Sequence, residues 1–168
     1  MKKQLAFCLV LFLLLLCNKA FAIKVIYDDT HGQTAENADW VTDGAYSEMA
    51  DMLKAEGFEI DDLSAKAKDG LFTSDLLQNY EAIILAEPNN PYSEEEMKLF
   101  VNFVKNGGGL FIIGDHDHSD RNRNGWDSVR IFNSFTPNFG FKIQKDVILY
   151  EAPLAGKVNK QHPAMYGF

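Results

Sequence analysis

The chain has 168 residues, 46% of them hydrophobic and 12% aromatic, enough for one domain with a sizeable core. Sixteen basic residues against twenty-four acidic ones give a net charge of −8. Such a surface repels nucleic-acid phosphate and anionic lipid and suits cations, so nucleic-acid binding is excluded as a function class.

Lys2-Lys3, the apolar run Leu5 to Cys17 and Ala20-Phe21-Ala22 are the three parts of a secretory signal peptide cut after Ala22. The run is shorter than the ~20 residues of a membrane-spanning helix, so no membrane attachment is expected after cleavage and the mature protein is expected to be secreted or periplasmic. The leader holds Lys2, Lys3, Lys19 and no acid, leaving thirteen basic against twenty-four acidic residues, net −11. It also holds both cysteines, Cys8 and Cys17. The mature chain, 23–168, therefore has no disulfide, thiolate ligand or cysteine nucleophile.

Ile23 to Tyr27 is a β-branched run of strand length, ending in Asp28-Asp29-Thr30-His31-Gly32-Gln33. Thr42-Asp43 is a capping signal for a helix over 44–55, with Tyr46, Met49, Ala50 and Leu53 on one face and Gly57 as its C-terminal stop. Phe58 to Asp61 reads as a second strand, followed by a lysine-rich turn from Ser64 to Gly70 and a short helix from Thr73 or Ser74 to Asn79. Ala82 to Ala86 is apolar throughout, a third strand buried on both faces, and ends in Glu87-Pro88-Asn89-Asn90-Pro91. Ser93 caps a helix to Lys105 that has three glutamates in its first turn and buries Met97, Phe100, Val101 and Val104. Gly107 to Gly109 stop it, and Leu110 to Ile113 form a fourth strand. A helix over 129–135 and a fifth strand from Lys145 to Tyr150 complete the pattern.

Alternating strands and helices with fully apolar strands predict an α/β fold: a doubly wound, mainly parallel sheet of about five strands with helices on both faces. One domain is expected over 23–168. The ending His162 to Phe168 reads either as a frayed tail or as the front part of a longer protein.

In such a sheet the strand C-termini share one edge, where ligands bind. Three polar clusters fall there: Asp28, Asp29, His31 and Gln33; Glu87, Asn89 and Asn90; and Asp115 to His118. Asp28, Asp29, Gln33, Glu87 and Asn89 are candidate small-ligand contacts. Asp115, Asp117, His116 and His118 offer ligands to Zn²⁺ or Mn²⁺. Because adjacent residues of an extended run point to opposite sides, the expected pairs are Asp115 with Asp117, or His116 with His118. His31 is a further candidate ligand. Asp120, Asn122, Asn124 and Gly125 form a D-x-N-x-N-G run that begins like a Ca²⁺ loop, with Ile131 where its bidentate Glu belongs and Asp127 as a substitute. The alternative is a turn of Asx residues capping the next helix.

The blocks YDDTHGQTAENADWVTDGAYSEMADMLKAEGF and SEEEMKLFVNFVKNGGGLFIIGDHDHSDRNRNGWDSVRIFN resemble the glutamine-amidotransferase-like (flavodoxin-like) domain of exported bacterial proteins, related in form to the trehalose-utilisation ThuA-like group. The resemblance covers Ile23 to about Phe141 and implies the fold and an exported setting. Where the amidotransferase cysteine belongs, this chain has Gly114-Asp115-His116, so that activity is not expected. Three readings remain open. The first is a module binding a small ligand or divalent cation. The second is a metal-assisted hydrolase in which His31, Asp115, His116 and His118 hold the ion or act as base. The third is a structural domain docking a partner around Trp40 and Trp126. The sequence carries no signal for oligomeric state.

Overall fold

The computed structural model describes residues 22–145. Strands β1 (Lys24–Asp28), β2 (Glu59–Asp62), β3 (Ala82–Ala86) and β4 (Gly109–Ile113) form a parallel sheet in the order β2-β1-β3-β4. Around it lie helices α1 (Ser47–Ala55), α2 (Leu63–Lys66), α3 (Ser74–Leu77), α4 (Glu94–Lys105) and α5 (Ser128–Asn133), then a 3-10 turn, Thr136–Phe139.

Strand alternation sorts the core into two layers. Val25, Tyr27, Ile84 and Ala86 pack with Met49 and Leu53 of α1. Ile26, Ile83 and Leu85 pack on the opposite face with Leu63, Leu77, Phe100, Ile131 and Phe132. In that second layer Phe72 and Tyr92 both meet Phe100 edge to face, with ring centroids 5.1 and 5.0 Å apart. The chain leaves β1 for β2 on one side and later returns to β3 on the other. The point between β1 and β3 is where open α/β sheets bind ligands, but here the two loops close on each other, the Asn89 and Asn90 N–H groups donating to His31 O at 2.8 and 2.9 Å.

Helix α4 starts at the N-cap expected at Ser93, which the structure closes as a capping box. Ser93 Oγ accepts the Glu96 N–H, and Glu96 Oε2 accepts the Ser93 N–H at 3.0 Å. Helix α1 starts at Ser47 rather than Gly44 and has no side-chain cap. Thr42 instead donates to Asp62 Oδ1 at 2.7 Å, so tertiary pairing with β2 takes the hydroxyl from the helix terminus. Helix α5 ends two residues short of the expected Phe135, which is buried in the core. The expected fifth strand lies, past Lys145, outside the described residues, as does the leader through Phe21.

Two glycines of the Gly107–Gly109 cluster have separate reasons. Gly107 takes φ +97°, a left-handed cap that a side chain strains. At Gly108 an added Cβ would stand 2.3 Å from the Phe103 ring. Gly108→Ala is expected to destabilise the fold by about 1–3 kcal/mol through overpacking, measured by denaturant unfolding. Adding Phe103→Leu should recover part of that loss, because it removes the ring the Cβ meets.

Candidate functional site

The end of β1 is built around a buried ion network. Asp28 is wholly buried. Its Oδ1 lies 2.9 Å from His31 Nδ1, and its Oδ2 accepts from Gln33 Nε2 at 3.0 Å and from the Tyr92 hydroxyl at 2.7 Å. On the other side of the ring, His31 Nε2 stands 3.4 Å from Glu96 Oε1. Burial alone would lower the His31 pKa, but hydrogen bonds to Asp28 and Glu96 outweigh it and raise the value to about 9. Burial would raise Glu96, but His31 and the Ser93 and Phe72 N–H groups bring it down to about 2. His31 is thus an imidazolium with both nitrogens directed at carboxylates. It has no lone pair for a metal and is not poised as a base. The network ties the loop after β1 to the start of α4.

The other candidates at this edge are also committed internally. Asp29 Oδ1 accepts the Ser64 N–H at 2.8 Å, and its Oδ2 pairs with the Ser64 hydroxyl, holding the start of α2. Asn89 joins three loops. Its N–H donates to His31 O at 2.8 Å, its Nδ2 to Gly32 O at 3.1 Å, and its Oδ1 accepts the Arg121 N–H at 3.0 Å. Of the five candidate ligand contacts, Gln33 keeps a buried Oε1 without a hydrogen-bond partner. Glu87 stands at the β3 terminus at φ +43°, its Oε1 accepting from the Tyr46 hydroxyl at 2.8 Å. Burial raises its pKa, the Tyr46 hydrogen bond opposes this, and the charge of Asp115 adds to the rise.

After β4, Asp115 accepts from Ser119 Oγ and from the His116 N–H, both at 2.7 Å, with the Arg121 guanidinium 3.7 Å away. Burial pushes its pKa up, but these hydrogen bonds and charges bring it below the usual value. His116 is exposed, and its Nδ1 donates to the Asp117 carbonyl at 2.7 Å.

Asp117, His118 and Asp127 form the group with metal-ligand geometry: one ligand atom from each lies within 4.8 Å of the others. Asp117 Oδ2 stands 3.4 Å from His118 Nε2, while its Oδ1 is buried without a hydrogen-bond partner, 3.6 Å from Lys145 Nζ. Asp127 caps α5, accepting the Arg130 N–H through Oδ1 at 2.7 Å and the His118 N–H through Oδ2 at 3.2 Å. Together with Asp120, Gly125, Arg130 and Lys145 they line a cleft of about 360 Å³.

This grouping departs from both expected pairs. His118 takes φ +68°, so the run is not extended there and the neighbours Asp117 and His118 turn to the same side. The D-x-N-x-N-G run folds as the Asx alternative. Asp120 accepts the N–H groups of Asn124 and Gly125, Asn122 Oδ1 that of Asn124, and Asn124 Oδ1 that of Trp126. The amides of Asn122 and Asn124 both donate to Asn89 O, docking the loop on the β3 turn. The oxygens of Asp120, Asn122 and Asn124 thus brace the turn itself, and Asp127 caps α5 in a different cluster.

Sequence reasoning missed Tyr92, Glu96 and Lys145. Glu96 was visible only as one of three glutamates in the first turn of the helix, with nothing to show that its carboxylate reaches His31. Trp40 and Trp126 each carry an arginine over the ring, Arg121 at 5.1 Å and Arg130 at 5.4 Å, so neither ring is a bare face.

No family model, curated protein or solved structure matches the chain.

The ion network sets the response to pH. A raised His31 pKa contributes stability that is fully present below its unfolded value of about 6.5 and lost as pH rises through about 9. The lowered Glu96 pKa contributes stability present above 4.5 and lost as pH falls through about 2. Unfolding free energy should accordingly decline on both sides of that window. His31→Ala, which leaves two buried carboxylates facing each other, should cost about 3–5 kcal/mol near neutral pH and abolish the decline between pH 6.5 and 9.

Proposed function

We propose that this protein binds a divalent cation at Asp117, His118 and Asp127, at the C-terminal end of β4. The observation that carries the reading is the convergence of three ligand atoms within 4.8 Å, with a buried Asp117 oxygen beside them that makes no hydrogen bond and has only the Lys145 ammonium, 3.6 Å away, as a counter-charge. One imidazole and two carboxylates suit Zn²⁺ or Mn²⁺ better than Ca²⁺, which takes six to eight oxygens. The same reading includes an exported protein, released by signal cleavage after Ala22, whose sheet extends to five strands in a doubly wound α/β domain of glutamine-amidotransferase-like form without amidotransferase activity. The pattern from Lys2 to Ala22 supports the export, the parallel order β2-β1-β3-β4 supports the α/β form, and the absence of cysteine after residue 22 supports the lack of amidotransferase activity.

A second reading, metal-assisted hydrolysis, is favoured by the ligand count. Three protein ligands leave a position for water, the arrangement of catalytic rather than structural zinc sites. Asp115 and Glu87, at the ends of neighbouring strands and pushed in opposite directions, supply an ionised carboxylate and a more readily protonated one beside it.

Calorimetric titration of metal-free protein with Zn²⁺, Mn²⁺ and Ca²⁺ tests the first reading. One site for Zn²⁺ or Mn²⁺ is expected, weakened at least about tenfold by Asp117→Asn and by His118→Ala, each of which removes a ligand. At a hundred times Kd the ion should stabilise the fold by about 2.7 kcal/mol, seen as a raised Tm. No heat with any of the three ions would remove the proposal. For the second reading, ester and phosphoester hydrolysis is measured with added metal. Activity that survives Asp117→Asn unchanged would sink it.

A further inference from the structure

Among the described residues β4 is an edge strand, and its surroundings are not those of an edge that faces water. The Gly109 N–H donates to Glu81 O, and Ile113 O accepts from Glu87 N, so those groups point toward β3. Alternation then turns the N–H and C=O of Leu110 and Ile112 outward. On one face of this edge, Phe111 is 54% exposed beyond the reach of α1. On the other, Leu110 and Ile112 line an apolar cleft of about 220 Å³ with Val104, Thr136, Phe139 and Phe141. Phe141 is itself 47% exposed, and its ring stacks on that of Phe139. Soluble edge strands are normally blunted by charge or proline, and this one has neither.

We propose that the outer edge of β4 is the docking site of this chain's own segment Val147-Ile148-Leu149-Tyr150, which pairs with it in antiparallel orientation. Three observations select that occupant. The described chain ends at Lys145, whose Nζ lies 3.6 Å from Asp117 Oδ1, so it emerges beside the C-terminal end of β4. One residue, Asp146, separates Lys145 from the segment. A parallel strand would first have to travel back the length of β4, roughly 17 Å at ~3.3 Å per residue, for which there is no chain. An antiparallel strand starts where the chain already is. The segment is also apolar at all four positions, the pattern of a strand buried on both faces. Alternate residues would cover Phe111 on one side and fill the Leu110–Phe141 cleft on the other. The inference does not depend on cation binding.

NMR of the chain through Phe168 tests it. The Leu110 and Ile112 amides should exchange at least about 100-fold more slowly than unpaired ones, with cross-strand Hα contacts between residues 110–112 and 147–150. Ile148→Asp with Leu149→Asp should return both amides to fast exchange while Ile26 and Ile84 stay protected. Fast exchange at Leu110 and Ile112 in the unmodified chain would overturn the proposal. So would protection that vanishes on dilution, which would make the occupant a second copy, or protection that survives the double substitution. Should the double variant fail to fold, the Hα contacts in the unmodified chain decide.

Discussion

The buried contact of one imidazolium with two carboxylates is the constraint around which this edge of the sheet is arranged. Asp28 ends β1, Glu96 lies in the first turn of α4, and His31 stands between them. An isolated buried charge is costly. Here the carboxylates are met by His31, Gln33, Tyr92, Ser93 and Phe72, so nearly every lone pair has a donor. The ring also packs against Phe72 and Tyr92, embedding the charge in the aromatic layer on that face of the sheet.

The remaining loops are fixed from that network outward. Holding His31 fixes its carbonyl, which accepts the N–H groups of Asn89 and Asn90. Asn89 then accepts the Arg121 N–H and the side-chain amides of Asn122 and Asn124. By this chain of hydrogen bonds the polar loop after β4 is anchored to the loop after β1, although the two strands are not neighbours. The Asp117–His118–Asp127 group lies beyond that anchor, held by the α5 cap rather than by the sheet. The Arg130 N–H positions the Asp127 carboxylate, and the left-handed turn at His118 fixes that residue's backbone, whose N–H donates to Asp127, while its ring stands exposed.

The two carboxylates at the ends of β3 and β4 show how little separates scaffold from site. Burial holds the Glu87 proton more tightly, the charge of Asp115 adds to this, and the single Tyr46 hydroxyl opposes it. Asp115 receives a hydroxyl, an N–H and the field of Arg121, so its proton is held less tightly. Residue type alone would have treated them alike.

The sequence by itself determined the α/β layering, because the periodicity of apolar residues is a local property. Ala82–Ala86 could only be a buried strand, the Ser93 box could only start a helix, and the glycines at 107 and 108 could only end one. It also determined that polar residues would gather where the strands stop. Which of those residues are bound into the scaffold was decided by the tertiary structure, because contacts distant in sequence set it. His31 looked like a ligand until Glu96, sixty-five residues on, closed its second nitrogen. Asp120, Asn122 and Asn124 read in sequence as the opening of a cation loop; in the fold their oxygens accept backbone N–H groups, and the two asparagine amides reach Asn89. Asp117 and His118 came together only because one residue adopted a positive φ, which no period of two or 3.6 residues announces.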